Sequence, residues 1–137
     1  MSESAAPVER ILVILPTYNE VENVGELCRQ VIAQDPRIEV VVVDDHSPDG
    51  TGDLVETIQA TEPKLHLIRR SGKLGLGTAY LRGFRFGLDQ SFDFVFTMDC
   101  DFSHNPSYLP DLIELLSRRD MVVGSRYVPG GGLENWP

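Results

Sequence analysis

Two carboxylates one residue apart, Asp99 and Asp101, follow the apolar run Phe94-Val95-Phe96 and are the first candidates for chemistry. At a strand end, alternate side chains point to the same side, so the pair presents two carboxylates to one point. Left alone they would repel and raise one another's pKa. A divalent cation resolves the repulsion, and hard carboxylate oxygens suit Mg²⁺ or Mn²⁺, which keep open positions for substrate phosphates. The competing reading of so short a pattern is a solvated acidic turn or a helix cap. A second acidic pair, Asp44-Asp45, closes the run Val40 to Val43. It offers a metal pair, an acceptor for a nucleobase or ribose hydroxyl, or a cap for a helix after Thr51. Asp49-Gly50 reads as an Asx turn. Tyr18 either stacks on a base or packs in its loop, and His46 and His104, without zinc spacing, read as rim hydrogen bonders.

Cations are gathered elsewhere. Lys64, Arg69, Arg70, Lys73, Arg82 and Arg85 fall in one stretch without an acid. That strip is either a solvated face or a surface turned toward phosphates or lipid headgroups. Within it, Lys73-Leu74-Gly75-Leu76-Gly77 resembles a glycine-rich phosphate cradle but lacks the Walker spacing. Arg126, beside two glycine-rich turns, is placed to neutralise a leaving diphosphate or to form a surface ion pair.

The elements that must position these residues recur regularly. Apolar β-rich runs begin near Ile11, Glu39, Lys64, Phe92 and Asp120, at spacings of 28, 25, 28 and 28 residues, the length of a strand plus a crossover helix. Continuous apolar runs indicate strands buried on both faces, so the pattern predicts an α/β fold with a mostly parallel sheet and helices on both faces. Val21, Val24, Leu27, Cys28, Val31 and Ile32 form a helical stripe, with Asn19 as its expected N-cap and Glu22 three residues on. Leu109, Leu112, Ile113 and Leu116 form another, opened by Asn105 with Pro106 at the first position. Further helices are expected over about Thr51 to Thr61 and Leu76 to Leu88. In the latter Ala79, Gly83 and Gly87 recur every four residues, a small face suited to close approach to the sheet. In open α/β sheets ligands bind outside the carboxyl ends of the strands, which is where the polar residues collect.

Length and composition bound the rest. With 137 residues and 42% hydrophobic content the chain reads as one domain over 1–137, with a tail at 1–8 and a flexible glycine-rich end at 129–137 that leads onward as in a truncated chain. A net charge of −9 disfavours non-specific binding to nucleic acid or to an anionic membrane. Cys28 and Cys100 have neither zinc nor disulfide-framework spacing and are read as reduced thiols. No run approaches the roughly 20 apolar residues of a bilayer span, and residues 1–7 lack a secretory signal pattern; the expected compartment is the cytoplasm.

Five stretches together resemble the nucleotide-sugar-binding half of a family 2 glycosyltransferase: Leu15-Pro16-Thr17-Tyr18-Asn19-Glu20, Val43-Asp44-Asp45-His46-Ser47-Pro48-Asp49-Gly50-Thr51, Leu74-Gly75-Leu76-Gly77-Thr78-Ala79-Tyr80, Met98-Asp99-Cys100-Asp101-Phe102-Ser103-His104 and Gly124-Ser125-Arg126-Tyr127. Within that family the resemblance is to the dolichyl- and polyprenyl-phosphate mannose synthases. It implies a GT-A (Rossmann-like) fold in which Pro16, Tyr18, Glu20, Val43 and Asp45 contact the guanosine of GDP-mannose. It also implies that Asp99 and Asp101 hold Mg²⁺ or Mn²⁺ on the diphosphate, that Cys100 lines the site, and that Arg126 assists the phosphates. Family members continue well past the position of Trp136, which again implies a truncated chain here.

The implied reaction is inverting attack by a polyprenyl phosphate oxygen on the anomeric carbon of GDP-mannose, at the cytoplasmic face of a membrane that the protein contacts peripherally. A metal and Arg126 would take up charge on departing GDP. The phosphate, with a second pKa of about 6, is already ionised and needs no strong base. Three rivals stand beside this reading. One is a nucleotide-sugar-binding fragment without turnover. Another is a receiver-type signalling domain with Asp99 phosphorylated, which would need a late lysine, whereas the lysines are Lys64 and Lys73. The third is a haloacid-dehalogenase-type phosphohydrolase using Asp99 and Asp101, which would need a lysine downstream.

Overall fold

In the computed structural model, residues 10–72, 74–100 and 105–118 are described. They form β1 (Ile11–Thr17), α1 (Val24–Ala33), β2 (Ile38–Asp44), α2 (Thr51–Gln59), β3 (Leu65–Arg69), α3 (Leu76–Asp89) and β4 (Phe94–Thr97). A 3₁₀ turn (Pro106–Tyr108) then leads into α4 (Leu109–Arg118). The strands pair in parallel in the order β3-β2-β1-β4. The fifth expected strand, near Asp120, lies outside the described residues.

Strand alternation divides the core between two faces. Ile11, Val13 and Leu15 of β1 with Val40 and Val42 of β2 pack under α1, α2 and α4, against Val24, Leu27, Cys28, Val31, Val55, Leu109, Leu112 and Ile113. Leu12, Ile14, Val41 and Val43 face the other way, toward Ala79 of α3. Both faces of β1 and β2 are therefore dry, which is why these strands read as unbroken aliphatic runs. The crossover from β3 to β4 passes over β2 and β1 through α3, so the winding direction reverses between β1 and β4.

Three of the expected helices begin where their sequences indicate. Asn105 caps the turn before α4, its side chain accepting from the Ser107 amide at 2.9 Å. The start of α1 differs: Asn23, not Asn19, is its N-cap. Asn19 instead sits at φ 58°, in the left-handed region that Asn tolerates. Its amide donates to Ser47 Oγ (2.9 Å), and the amides of Asn23 and Val24 donate to the Glu20 carbonyl. Contacts from the neighbouring loop thus hold residues 19–22 in a turn and delay the helix. Side-chain capping signals cannot show this, because the partner is 28 residues away.

The small face of α3 lies directly on the sheet. A Cβ built on Gly83 would sit 2.6 Å from Ile14 Cγ2, and one on Gly87 would sit 3.0 Å from Val95 Cγ2. No side chain fits at Gly83 unless α3 lifts away from β1. Gly77, in the same helix, meets nothing within 4 Å. Gly83→Ala should therefore lower stability by about 1–3 kcal/mol through overpacking, whereas Gly77→Ala should raise it by about 0.5–1 kcal/mol. Urea denaturation of the two variants tests this; equal effects would contradict the close approach of α3.

Candidate functional site

Strand ends build the site. β4 pairs with β1 only over Ile11 to Ile14, and the last ladder contact is the Met98 amide donating to the Ile14 carbonyl at 3.0 Å. Beyond it β1 runs on without a β4 neighbour. Pro16, two residues after Ile14, turns the same edge toward that gap, so its missing amide proton costs no ladder bond. A crevice opens there, at the switch point of the sheet, where open α/β folds bind ligands. It is a cavity of about 250 Å³ lined by Pro16 and Thr17 at the end of β1, Tyr18 and Glu20 after it, Asp45 after β2, Asp99 and Cys100 after β4, and Gly75, Leu76 and Ala79 at the start of α3. A larger cavity of about 650 Å³, at the opposite end of the strands between α1 and α2, is lined mainly by aliphatic groups and offers no comparable convergence of carboxylates.

Asp44 and Asp45 have separate tasks. Asp44 is buried. Its Oδ1 accepts from the hydroxyls of Thr17 (2.7 Å) and Ser47 (2.6 Å), and its Oδ2 accepts from the Ser47 amide (3.0 Å). Asp45 is also buried and meets Arg70 side by side, with Nε donating to Oδ1 at 2.6 Å and Nη2 to Oδ2 at 3.0 Å. The Leu74 amide adds a third bond to Oδ2, at 3.2 Å. The two aspartates therefore do not act as one unit: their oxygens accept from protein donors on different elements, Thr17 and Ser47 for Asp44, Arg70 and Leu74 for Asp45.

Arg70 also donates to Thr78 Oγ1 (2.9 Å) and to the Gly75 carbonyl (3.0 Å). It thus ties the ends of β2 and β3 to the loop that opens α3. Gly75, at φ 107°, supplies a backbone conformation that other residues rarely adopt. The Leu74 amide of this glycine-rich loop already cradles an anion, and that anion is the Asp45 carboxylate. A carboxylate offers about four acceptor positions, so the three used here orient Asp45 without exhausting it.

Asp99 is half-buried on the cavity wall, and Tyr80 of α3 donates its hydroxyl to Asp99 Oδ1 at 2.8 Å. Cys100, beside it, is buried and reduced, as is Cys28, whose thiol burial pushes up to about 12. The loops after β1 and β2 are stitched by Asp49, which takes the Asx-turn role. Its Oδ1 accepts from the Thr51 amide (3.0 Å) and hydroxyl (2.5 Å), and its Oδ2 from the Val21 amide (3.1 Å). Partial desolvation opposes ionisation of Asp49, but these donors outweigh it and hold the carboxyl below its ordinary pKa.

Six of the expected site residues, Pro16, Tyr18, Glu20, Asp45, Asp99 and Cys100, thus border one cavity. The Val43 side chain packs beneath α3 instead, leaving its backbone as the route to any ligand. Asp101, Ser103, His104 and Arg126 lie outside the described residues. Sequence reasoning missed Tyr80 and Arg70 as site residues. Helix phase held a signal for Tyr80, next to sheet-facing Ala79, and strand register held one for Arg70, since its neighbour Arg69 pairs with Asp44.

Truncating one partner of a buried ion pair strands the other charge, at a cost of about 3–5 kcal/mol. Arg70→Ala should destabilise the fold by that order and accelerate amide hydrogen exchange in the loop around Gly75. Unchanged exchange there would show that the loop holds its shape without Arg70.

The sequence profile of Glycosyl transferase family 2 matches residues 12–137. The chain is 48% identical over 128 residues to an undecaprenyl-phosphate mannosyltransferase of Micrococcus luteus, covering 93% of this chain and 53% of that one. It is 44% identical to a polyprenol monophosphomannose synthase of Mycolicibacterium smegmatis, covering 96% and 50%. The chain therefore spans about half the length of these curated relatives. Among solved structures, S. aureus TarS 1–349 superposes with a TM-score of 0.64 at 29% identity, over 88% of this chain and 38% of that one. The mannosyltransferase PcManGT of Pyrobaculum calidifontis, in complex with GDP-Man and Mn²⁺, does so with a TM-score of 0.52 at 33% identity, over 63% and 28%. By profile, relatives and sheet, the chain belongs to glycosyl transferase family 2 and carries a GT-A-like fold.

Proposed function

We propose that the protein transfers mannose, with inversion, from GDP-mannose to a polyprenyl phosphate at the cytoplasmic face of a membrane. One observation carries the reading most directly: Pro16, Tyr18, Glu20, Asp45, Asp99 and Cys100 border a single crevice at the sheet's switch point, in a chain whose relatives are named for polyprenyl-phosphate mannosyl transfer. Within it, Tyr18 and the Asp45 carboxylate, fixed by Arg70, receive the guanosine. Asp99 holds the diphosphate end. Its carboxylate borders the cavity with Oδ1 already held by Tyr80, a hard oxygen donor of the type Mg²⁺ and Mn²⁺ prefer. Asp99 and Asp101 would hold that cation, which would neutralise charge on departing GDP; PcManGT contains GDP-Man and Mn²⁺. Arg126 would share that charge. The acceptor phosphate is its own nucleophile, so no residue has to act as a strong general base.

Incubation of the protein with radiolabelled GDP-mannose, Mn²⁺ and polyprenyl phosphate should give an organic-extractable mannolipid. Asp99→Asn should abolish it while leaving the circular dichroism spectrum unchanged. Calorimetry should show GDP-mannose binding that needs Mn²⁺ and that UDP-glucose does not displace. Tyr80→Phe, which frees the Asp99 carboxylate to reorient, should weaken Mn²⁺ affinity by about tenfold. Metal-independent binding of GDP-mannose would overturn the assignment of Asp99.

A further inference from the structure

Among the described residues, five of the six large hydrophobic side chains left exposed lie on α3 or the loop that opens it: Leu74, Leu76, Leu81, Phe84 and Leu88. Leu81, Phe84 and Leu88 are spaced i, i+3 and i+7, forming one stripe along the helix. That stripe lies opposite the sheet-facing Ala79, Gly83 and Gly87. Leu81 and Leu88 are 67% and 77% exposed, against 38% for Phe84. Arg82 and Arg85 border it, both exposed, and among the described residues neither forms an ion pair. The structure thus divides the cationic strip. Arg69 is taken by Asp53 and Glu56, Arg70 by Asp45, and the Lys64 ammonium by the Pro36 carbonyl; Lys73 lies outside the described residues, and of the described cations of the strip Arg82 and Arg85 are left facing outward. No acid occurs between Glu62 and Asp89, so this face is locally positive on a chain of net charge −9.

We infer that the outer face of α3 is the surface by which the protein docks on an anionic lipid bilayer. Apolar side chains flanked by arginines are the pattern of an interfacial helix, which lies in the plane of the headgroups with its apolar stripe in the acyl boundary. The orientation suits the acceptor, and here the inference rests on the function proposed above. The first turn of α3 supplies Leu76 and Ala79 to the cavity wall, and Leu76 is itself 56% exposed. With α3 lying on the bilayer, its exposed first turn at Leu76 would carry the edge of the cavity toward the headgroups, where a lipid-borne phosphate resides.

Cosedimentation of the full protein with vesicles of phosphatidylcholine and phosphatidylglycerol in equal parts tests the surface. The native protein should sediment with these vesicles, less so in high salt, and poorly with pure phosphatidylcholine. Arg82→Gln and Arg85→Gln should each weaken binding by about fivefold, and Leu81→Ser combined with Leu88→Ser should abolish it. All three variants should keep the native thermal midpoint and the native calorimetric affinity for GDP-mannose. Vesicle binding that survives the serine substitutions, or a native protein that ignores anionic vesicles, would overturn the inference. So would a dimer in light scattering that the serine substitutions dissociate, since the face would then serve a second copy. Loss of GDP-mannose binding in the native protein would instead count against the proposed function, because the vesicle assay reads the surface independently of the donor.

Discussion

The buried pairing of Asp45 with Arg70 is the interaction on which the rest of the site depends. It joins three pieces of chain, the ends of β2 and β3 and the loop before α3, that the sheet alone brings near one another without fixing. Two side-by-side hydrogen bonds set the plane of the carboxylate, and the remaining guanidinium donors set the Gly75 carbonyl and Thr78. Charge-assisted, paired bonds of this kind give direction as well as energy. Replacing the ion pair with apolar groups could leave the fold as stable, but it would leave Asp45 and the α3 loop without a defined position. The pair is therefore better understood as a device for geometry than as a source of stability.

From that anchor the placement of α3 follows. Its first turn is held by Arg70, its middle is drawn against Ile14 because Gly83 carries no side chain, and Tyr80 reaches the Asp99 carboxylate just after β4. One helix thus connects the Asp45 end of the crevice to the Asp99 end. Its close contact with the sheet uses up the small residues and leaves the large ones outside. The same seating that completes the cavity wall therefore creates the apolar outer stripe, so the proposed donor site and the candidate lipid surface are two faces of one packing arrangement.

Much of this was legible in the residues. Runs such as Val40 to Val43 can be buried on both sides only in a covered parallel sheet, and the recurring spacing gives the strand-helix alternation. Ala79, Gly83 and Gly87 showed which side of α3 would approach the sheet, and the polar residues after the strands marked the end of the sheet at which the crevice opens. What was not legible depends on contacts between distant segments. Asn19 and Glu22 carried an N-cap pattern, yet Ser47 and Asp49 of another loop hold that segment in a turn. Asp44 and Asp45 are chemically alike in sequence, and only their partners, Thr17 and Ser47 for one and Arg70 for the other, separate a structural carboxylate from one that faces the cavity. Arg70 read as one of six similar cations until strand register put it beside Asp45.

In the proposed function, the crevice between the ends of β1 and β4 holds the sugar nucleotide. A crystal structure of the protein with GDP-mannose and Mn²⁺ tests it most directly. The guanosine should lie between Tyr18 and Asp45, the diphosphate toward Asp99, and an anomalous manganese peak within coordination distance of the Asp99 carboxylate. A nucleotide bound elsewhere, for instance in the apolar cavity between α1 and α2, or a manganese ion remote from Asp99, would contradict it.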